Sequence, residues 1–231
     1  MITLRRSDMR GHAHHGWLDT WHTFTFADYY DPAHMHFRSL RVLNEDWIAP
    51  GRGFGMHPHR DMEIVTYMME GALEHRDSMG NGAVLHVGEV QRMTAGTGIQ
   101  HSEFNASLSE PARLIQIWIL PAEKGLKPGY GQTRLPADFS SGLFAIAGPQ
   151  GEGGAGKIHQ DVRISVARLL AGEEMKLEIA PGRYGWGQIT QGRLTCGGVK
   201  VSAGDGVAVE EETEIVVAAS ASAEFLWFDL A

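Results

Sequence analysis

The chain has 231 residues, enough to bury a sizeable core as one large or two small domains. Its 28 acidic and 20 basic residues leave a formal charge of −8, with no compact Lys/Arg cluster, which argues against nucleic acid as a partner. The single Cys196 excludes an intrachain disulfide framework, and neither a membrane-length apolar run nor a signal-peptide core is present, so a cytoplasmic protein without membrane partners is expected.

The predicted elements are almost all strands. The N-terminal histidines His12, His14 and His15 sit beside Gly11 and Gly16 and read as a solvated segment. His22, flanked by aromatics, is a candidate for the mouth of a cavity. His34-Met-His36 has no acidic partner at a matching spacing and reads as a loop leading into residues 37–42. Short runs rich in Val, Ile, Tyr and Trp then predict strands over residues 64–69, 84–87 and 114–120. His75 and His86, on or beside strands, read as surface residues. In the run 114–120, alternation puts Gln116 and Trp118 on one face and Ile115, Ile117 and Ile119 on the other. A pocket wall and a solvated outer face both suit the first set. A single helical turn is predicted near residues 137–141. Further strands are predicted over 164–170, 176–179, 199–201, 215–218 and 225–228, punctuated by Gly, Asn and Asp. Many short strands at this spacing mean an all-β sandwich or barrel.

Two strings carry the chemistry, His57-Pro-His59 and His101-Ser-Glu103. Along a strand, residues i and i+2 share a face, so His57 pairs with His59, and His101 with Glu103. Glycine-rich turns precede both strings, which places both at strand starts. If the two strands face each other, three imidazoles and a carboxylate converge, a donor set that suits a divalent transition metal and leaves positions open. Glu63 is a second candidate carboxylate, on the face of His59 if no bulge intervenes, and parity alone does not choose between Glu63 and Glu103.

A weak repeat relates the two halves. Glu70-Gly-Ala-Leu73 matches Gln191-Gly-Arg-Leu194, Gly88-Glu-Val90 matches Gly204-Asp-Gly206, and Ile117-Trp-Ile119 matches Leu226-Trp-Phe228. The offset shrinks along the chain, as for a second copy with shorter loops. It places His57 and His59 opposite Glu178 and Ala180, and His101 near Val217. No histidine follows His159, so no His-rich metal site is expected in the second copy. Between the copies, residues 147–156 are glycine-rich, and Gly151 to Lys157 spells the start of a phosphate loop. Ile158 stands where that motif needs Ser or Thr, and the sequence beyond reads as strand, so a surface loop is the better reading.

These residues resemble a known family. Gly51-x5-His57-x-His59-x3-Glu63 is similar to the first cupin motif, and Gly98-x2-His101-x3-Asn105 to the end of the second. His57-Pro-His-Arg60, Val65-Thr-Tyr67, Glu70-Gly71, Asp77-Ser-Met-Gly-Asn81, Met93-Thr-Ala-Gly-Thr-Gly-Ile-Gln-His-Ser-Glu103 and Trp21-His-Thr-Phe-Thr-Phe-Ala27 resemble the pirin family over roughly residues 10–120. The remainder resembles the C-terminal cupin of bacterial pirin-like proteins assigned as quercetin 2,3-dioxygenases.

The resemblance implies an all-β bicupin of two jelly-roll barrels. Its expected divisions are a metal-binding cupin over 1–122, a linker and crossover over 123–158, and a C-terminal cupin without metal ligands over 159–231. It implies one divalent metal per chain on His57, His59, His101 and Glu103. Iron(II) is the expected ion, and copper, nickel, cobalt, manganese and zinc also suit the donors. Glu63 then becomes a supporting carboxylate, with His22, Gln116 and Trp118 as candidate pocket residues. The implied activity is oxygenolysis of a flavonol such as quercetin: loss of the 3-hydroxyl proton, addition of O2 across C2 and C4, and ring opening with release of carbon monoxide. Glu103 is the candidate base. The alternative is a metal- or redox-sensing regulatory protein that acts through protein partners.

Overall fold

The structure, a computed structural model, describes residues 1–151 and 156–231. The chain forms two compact units. One comprises Gly11–Arg134 and Gly156–Gln160; the other comprises Met1–Arg10, the described part of Leu135–Ala155, and Asp161–Ala231.

After β1 (Ile2–Arg5), which belongs to the second unit, the first unit begins with β2 (Gly11–His14), β3 (Leu18–His22), β4 (Leu40–Ile48) and β5 (Gly53–His59). It continues through β6 (Glu63–Glu70), β7 (Ala72–Asp77), β8 (Gly82–His86) and β9 (Glu89–Thr94) to β10 (Ile99–Asn105), β11 (Ala112–Ile119) and β12 (Gly129–Arg134). The second unit takes up β13 (Gly142–Gly148), and the two-residue β14 (Gly156–Lys157) returns to the first. Then follow β15 (Val162–Leu169), β16 (Glu174–Glu178), β17 (Tyr184–Gln191) and β18 (Arg193–Cys196). The last strands are β19 (Val199–Ser202), β20 (Gly206–Val209), β21 (Glu214–Ala219) and β22 (Ala223–Leu230).

Both units are built on one plan. In the first, a large sheet runs β12-β9-β6-β11-β4-β3-β2 and a small one β5-β10-β7-β8. In the second, the corresponding orders are β1-β20-β17-β22-β15-β13 and β16-β21-β18-β19. The orders match over six strands of the large sheet and all four of the small one, so the weak sequence repeat is a duplicated β-barrel, and the bicupin architecture is the one present. Residues 123–158 carry β12 and β14 of the first unit and β13 of the second.

Local differences from the sequence reading have simple causes. Residues 137–141 form a turn, with Phe139 N donating to Pro136 O, and no helix; the one helical segment among the described residues is the 3-10 turn Ser7–Met9. Strand β4 is hidden in the sequence because Asn44-Glu45-Asp46 looks like a turn. Those three polar side chains are buried: Glu45 is paired with Arg113, while Asp46 accepts from Thr20. The candidate phosphate loop falls largely on residues 152–155, outside the described residues; β15 follows it, where a helix would be required. No helix among the described residues is long and apolar enough to cross a membrane.

The barrel interiors differ. Asn105 pairs with Leu73 in the first barrel as Ala219 pairs with Leu194 in the second. Counting along the ladders from these points, the second-barrel residues corresponding to His57, His59, His101 and Glu103 are Leu177, Ile179, Ile215 and Val217. The sequence offsets, which chose Glu178 and Ala180, slip by one residue because the turn leading into β17 at Tyr184 is one residue longer than the turn leading from His59 into β6 at Glu63. A one-residue slip turns every side chain to the other face. All four corresponding residues lie in one apolar cluster with Phe225 and Trp227. Cys196 belongs to the same cluster, and burial pushes its thiol up to about 12. Only the thiolate reacts readily with alkylating agents. Native protein at pH 8 is therefore expected to leave Cys196 unmodified by iodoacetamide, and protein in denaturant to be alkylated once, as read by intact mass.

Candidate metal centre

The two histidine strings lie on neighbouring strands of the small sheet of the first barrel. In the antiparallel pair β5–β10, His57 stands directly opposite His101, and His59 opposite Ile99. The strings are thus side by side in one sheet rather than on facing strands. His101 is near the start of its strand as expected, but His57 and His59 end theirs. The shared parity still brings the three rings together, with centroids 4.4 Å (His57–His101), 4.7 Å (His57–His59) and 4.8 Å (His59–His101) apart. One ring nitrogen from each lies within 4.8 Å of the others.

The electrostatics suit cation binding. Burial pushes His101 down to about 2, helped by the neighbouring His57, His59 and His75. Burial, then His57, lowers His59 to about 4. Both rings are therefore neutral near pH 7 and offer lone pairs, the form in which imidazole binds a metal. His57 Nδ1 lies 2.8 Å from Gly55 O, so it donates there and leaves Nε2 as the acceptor nitrogen. His101 is 1% exposed, and neither ring nitrogen has a hydrogen-bond partner. A buried polar atom without a partner costs about 1–3 kcal/mol, so an imidazole with two such atoms is a poor structural element and a good ligand.

Glu103 shares the interior face with His101 but groups differently. Its carboxylate falls with His75 and His101 in a second cluster, all three buried and with their ligand atoms within 4.8 Å. Gln91 Nε2 donates to Oε1 at 2.5 Å, and Gln116 Nε2 donates to Oε2 at 3.0 Å. Burial raises the Glu103 carboxyl above its ordinary range, against the opposing pull of the histidines and the two amides.

His75 is the residue the sequence reading missed. It is fully buried, not on the surface, and stacks on Tyr130 with centroids 4.7 Å apart. Its Nε2 lies 3.3 Å from Asp77 Oδ2. Burial alone would raise Asp77, but hydrogen bonds from Asn81, His75 and Met79 hold it below its ordinary value. The available signal was parity: Leu73, His75 and Asp77 alternate with the less buried Ala72, Glu74 and Arg76.

Glu63 joins neither cluster. The chain turns at Asp61, which has a positive φ, and Glu63 enters the large sheet, so strand parity does not carry over from His59. There it is buried, accepting from Thr94 Oγ1 at 2.9 Å and meeting His159 Nδ1 at 2.9 Å. The other candidates lie on the cavity: His22, Gln116 and Trp118 line a space of about 370 Å³ onto which His57, His59 and Glu103 also open. Gln116 belongs to a polar row across the large sheet, paired with Asn44 of β4 and Thr66 of β6, and Thr66 with Gln91 of β9. Thr66 donates to Gln116 Oε1 at 2.8 Å, so the row braces the two amides that grip Glu103. His12 sits against Asp19 and Trp21, and His34 against Asp31, away from the cluster.

With the geometry in view, comparison with known proteins places the chain. The Pirin family matches residues 3–119, and the Quercetinase C-terminal cupin domain matches residues 145–230. The chain belongs to the pirin family. Over 230 residues this pirin is 49% identical to Quercetin 2,3-dioxygenase of Escherichia coli (strain K12), covering 100% of this chain and 99% of that protein. It is 40% identical over 233 residues to the Pirin-like protein of Caulobacter vibrioides, covering 100% of both. Among solved structures, the bacterial pirin YhhW from Escherichia coli in complex with nickel(II) superposes with a TM-score of 0.96 at 48% identity, covering 100% of this chain and 99% of that one.

The cavity also contains a displaced titration. Burial pushes Asp46 up to about 7; the Thr20 bond opposes this, and Glu103 and Glu45 add to it. A carboxyl raised in the folded state contributes stability that is present at acid pH and lost as pH rises through its folded value. Asp46→Asn removes that contribution. The variant is expected to lose less stability than wild type between pH 5 and pH 8 in urea denaturation.

Proposed function

We propose that this pirin is a metal-dependent dioxygenase that opens the central ring of a flavonol such as quercetin with O2 and releases carbon monoxide. The observation that carries this reading is the convergence of three imidazoles, two of them held neutral by burial and one of those with both ring nitrogens unpartnered, at the wall of an aromatic-lined cavity. A relative named Quercetin 2,3-dioxygenase and a nickel(II) complex of a close structural neighbour support one divalent metal and a flavonol substrate. His57, His59 and His101 would hold the ion, with Glu103 as the carboxylate of the set. Iron(II) is the ion we assign; nickel, copper, cobalt, manganese and zinc also suit imidazole and carboxylate donors. A bound divalent ion supplies Lewis acidity toward an enol oxygen and leaves positions open beside it.

The chain's own residues do the rest. At about 370 Å³ the cavity falls within the ~300–1,000 Å³ usual for small-molecule sites, and Trp17, Phe26, Phe54 and Trp118 give it walls that exclude water from a planar ring. Glu103 accepts the 3-hydroxyl proton, its carboxylate held in one orientation by Gln91 and Gln116. A carboxyl lifted by burial is a better base near neutral pH than an exposed one. The buried, unpaired Cys196 suits the reducing cytoplasm, where we place the protein.

Two tests follow. Metal analysis of His57→Ala and His101→Ala after purification is expected to show strong depletion relative to wild type, since even supporting residues of metal sites commonly cost ~10–100-fold in affinity; full retention in both variants rejects the ligand assignment. Metal-replete Glu103→Gln keeps the side chain's size but not its basicity. Its quercetin turnover is expected to fall ~10²–10⁴-fold with metal content largely kept. Unchanged turnover removes Glu103 as base. Absence of carbon monoxide from wild-type protein loaded with each of the six metals rejects the flavonol reading and favours the sensor.

A further inference from the structure

Part of the cavity wall is polar in a way that the metal and proton chemistry does not use. Asn44 on β4 lines the cavity, is 3% exposed, and has a fully enclosed Oδ1 without a hydrogen-bond partner among the described residues. It stands directly opposite Gln116, yet Gln116 gives its bonds to Thr66 and Glu103. The bracing of Glu103 therefore stops one residue short of Asn44. Two residues along the same strand face, Asp46 also lines the cavity. Its Oδ1 accepts from Thr20 Oγ1, and among the described residues no hydrogen bond reaches Oδ2. Trp118, edge-on to His59 with centroids 4.9 Å apart, has a buried Nε1 without a partner.

The unpartnered Asn44 Oδ1 and Trp118 Nε1 add no hydrogen bond to the barrel among the described residues. A Leu at position 44 would suit a strand whose neighbours Val42, Leu43 and Ile48 are buried and apolar. Keeping an unpartnered amide there costs stability unless a ligand completes it. The remaining walls, Trp17, Phe26 and Phe54, take flat apolar rings. What fits both is a planar aromatic that carries hydroxyl groups at its edge.

We propose that Asn44 and Asp46 form a hydroxyl-recognising subsite that selects polyhydroxylated aromatic substrates. Ring hydroxyls remote from the reacting enol donate to Asp46 Oδ2 and accept from the Asn44 Nδ2 amide. The subsite rests on the flavonol reading only for the identity of the reacting end; selection by hydroxyl count is a property of binding. Sites that hydrogen-bond a substrate hydroxyl discriminate strongly against the analogue lacking it, because their buried polar groups are then left unpaired.

The test is anaerobic titration of the full-length, metal-loaded protein, following tryptophan fluorescence. The two ligands are quercetin and 3-hydroxyflavone, which keeps the enol and the ring system but lacks the other hydroxyls. Wild type is expected to bind quercetin at least tenfold more tightly. Asn44→Leu is expected to bring the two affinities within about threefold of each other, chiefly by weakening quercetin, with metal content unchanged. Should Asn44→Leu fail to fold by circular dichroism, Asn44→Ser and Asp46→Asn take its place, with the same loss of preference expected. Equal binding of the two ligands by wild type, an undiminished preference in the folded variants, or binding of neither ligand overturns the proposal. Aerobic turnover separates the two readings. A preference lost on substitution without any carbon monoxide from quercetin leaves the subsite standing and rejects the activity. Carbon monoxide production without a preference does the reverse.

Discussion

Three imidazoles packed against one another, two of them held neutral by burial, are the constraint around which the first barrel is organised. His57 lies opposite His101 in the β5–β10 ladder, and His59 is two residues along the same face. Burial and mutual repulsion keep His59 and His101 neutral. Such a group is unfavourable in a closed apolar core, where unpaired ring nitrogens have no compensation. Around it the barrel holds polar and apolar layers. Ile48, Met68, Leu73, Leu85 and Leu114 pack as one apolar cluster, and Ile64, Met93, Ala95 and Ile99 as another. The row Asn44–Gln116–Thr66–Gln91 crosses the large sheet with Glu103 attached to it.

The second barrel shows what the same plan does without that constraint. Its strand order repeats that of the first, and the positions matching the histidines and Glu103 hold Leu177, Ile179, Ile215 and Val217. There the interior closes into one continuous apolar cluster. Two copies of a β-unit have thus been given opposite tasks by a few inward-facing residues: one keeps a cavity and a donor set, and the other keeps a core. The difference follows from side-chain parity, because every second residue of a strand faces inward and those residues alone decide whether the interior can be dry.

Much of this was legible in order along the chain. The strand runs, the duplicated architecture and the pairing of each histidine string on one face all follow from a two-residue period and turn residues. Legibility failed wherever burial contradicted polarity. Asn44-Glu45-Asp46 looks like a turn, yet forms the middle of β4, because Arg113 neutralises Glu45 and the cavity receives the other two. His75 looks like a surface histidine, yet Asp77 and Tyr130 accommodate it inside. The repeat was visible, but its register was not, since the turn before β17 is one residue longer than the turn before β6 and shifts the count by one.

By itself the sequence determined that the chain would fold into two all-β halves, that only the first could gather histidines, and that His57, His59 and His101 would present their rings inward together. These conclusions depend on local periodicity and composition, which need no knowledge of distant partners. Tertiary structure alone decided which carboxylate meets the histidines and what stands behind it. Glu63 and Glu103 are equivalent by spacing, and they separate because β6 enters the large sheet while β10 lies between β5 and β7 in the small one. Sheet membership is set by pairing between strands far apart in the chain, and no local pattern encodes it.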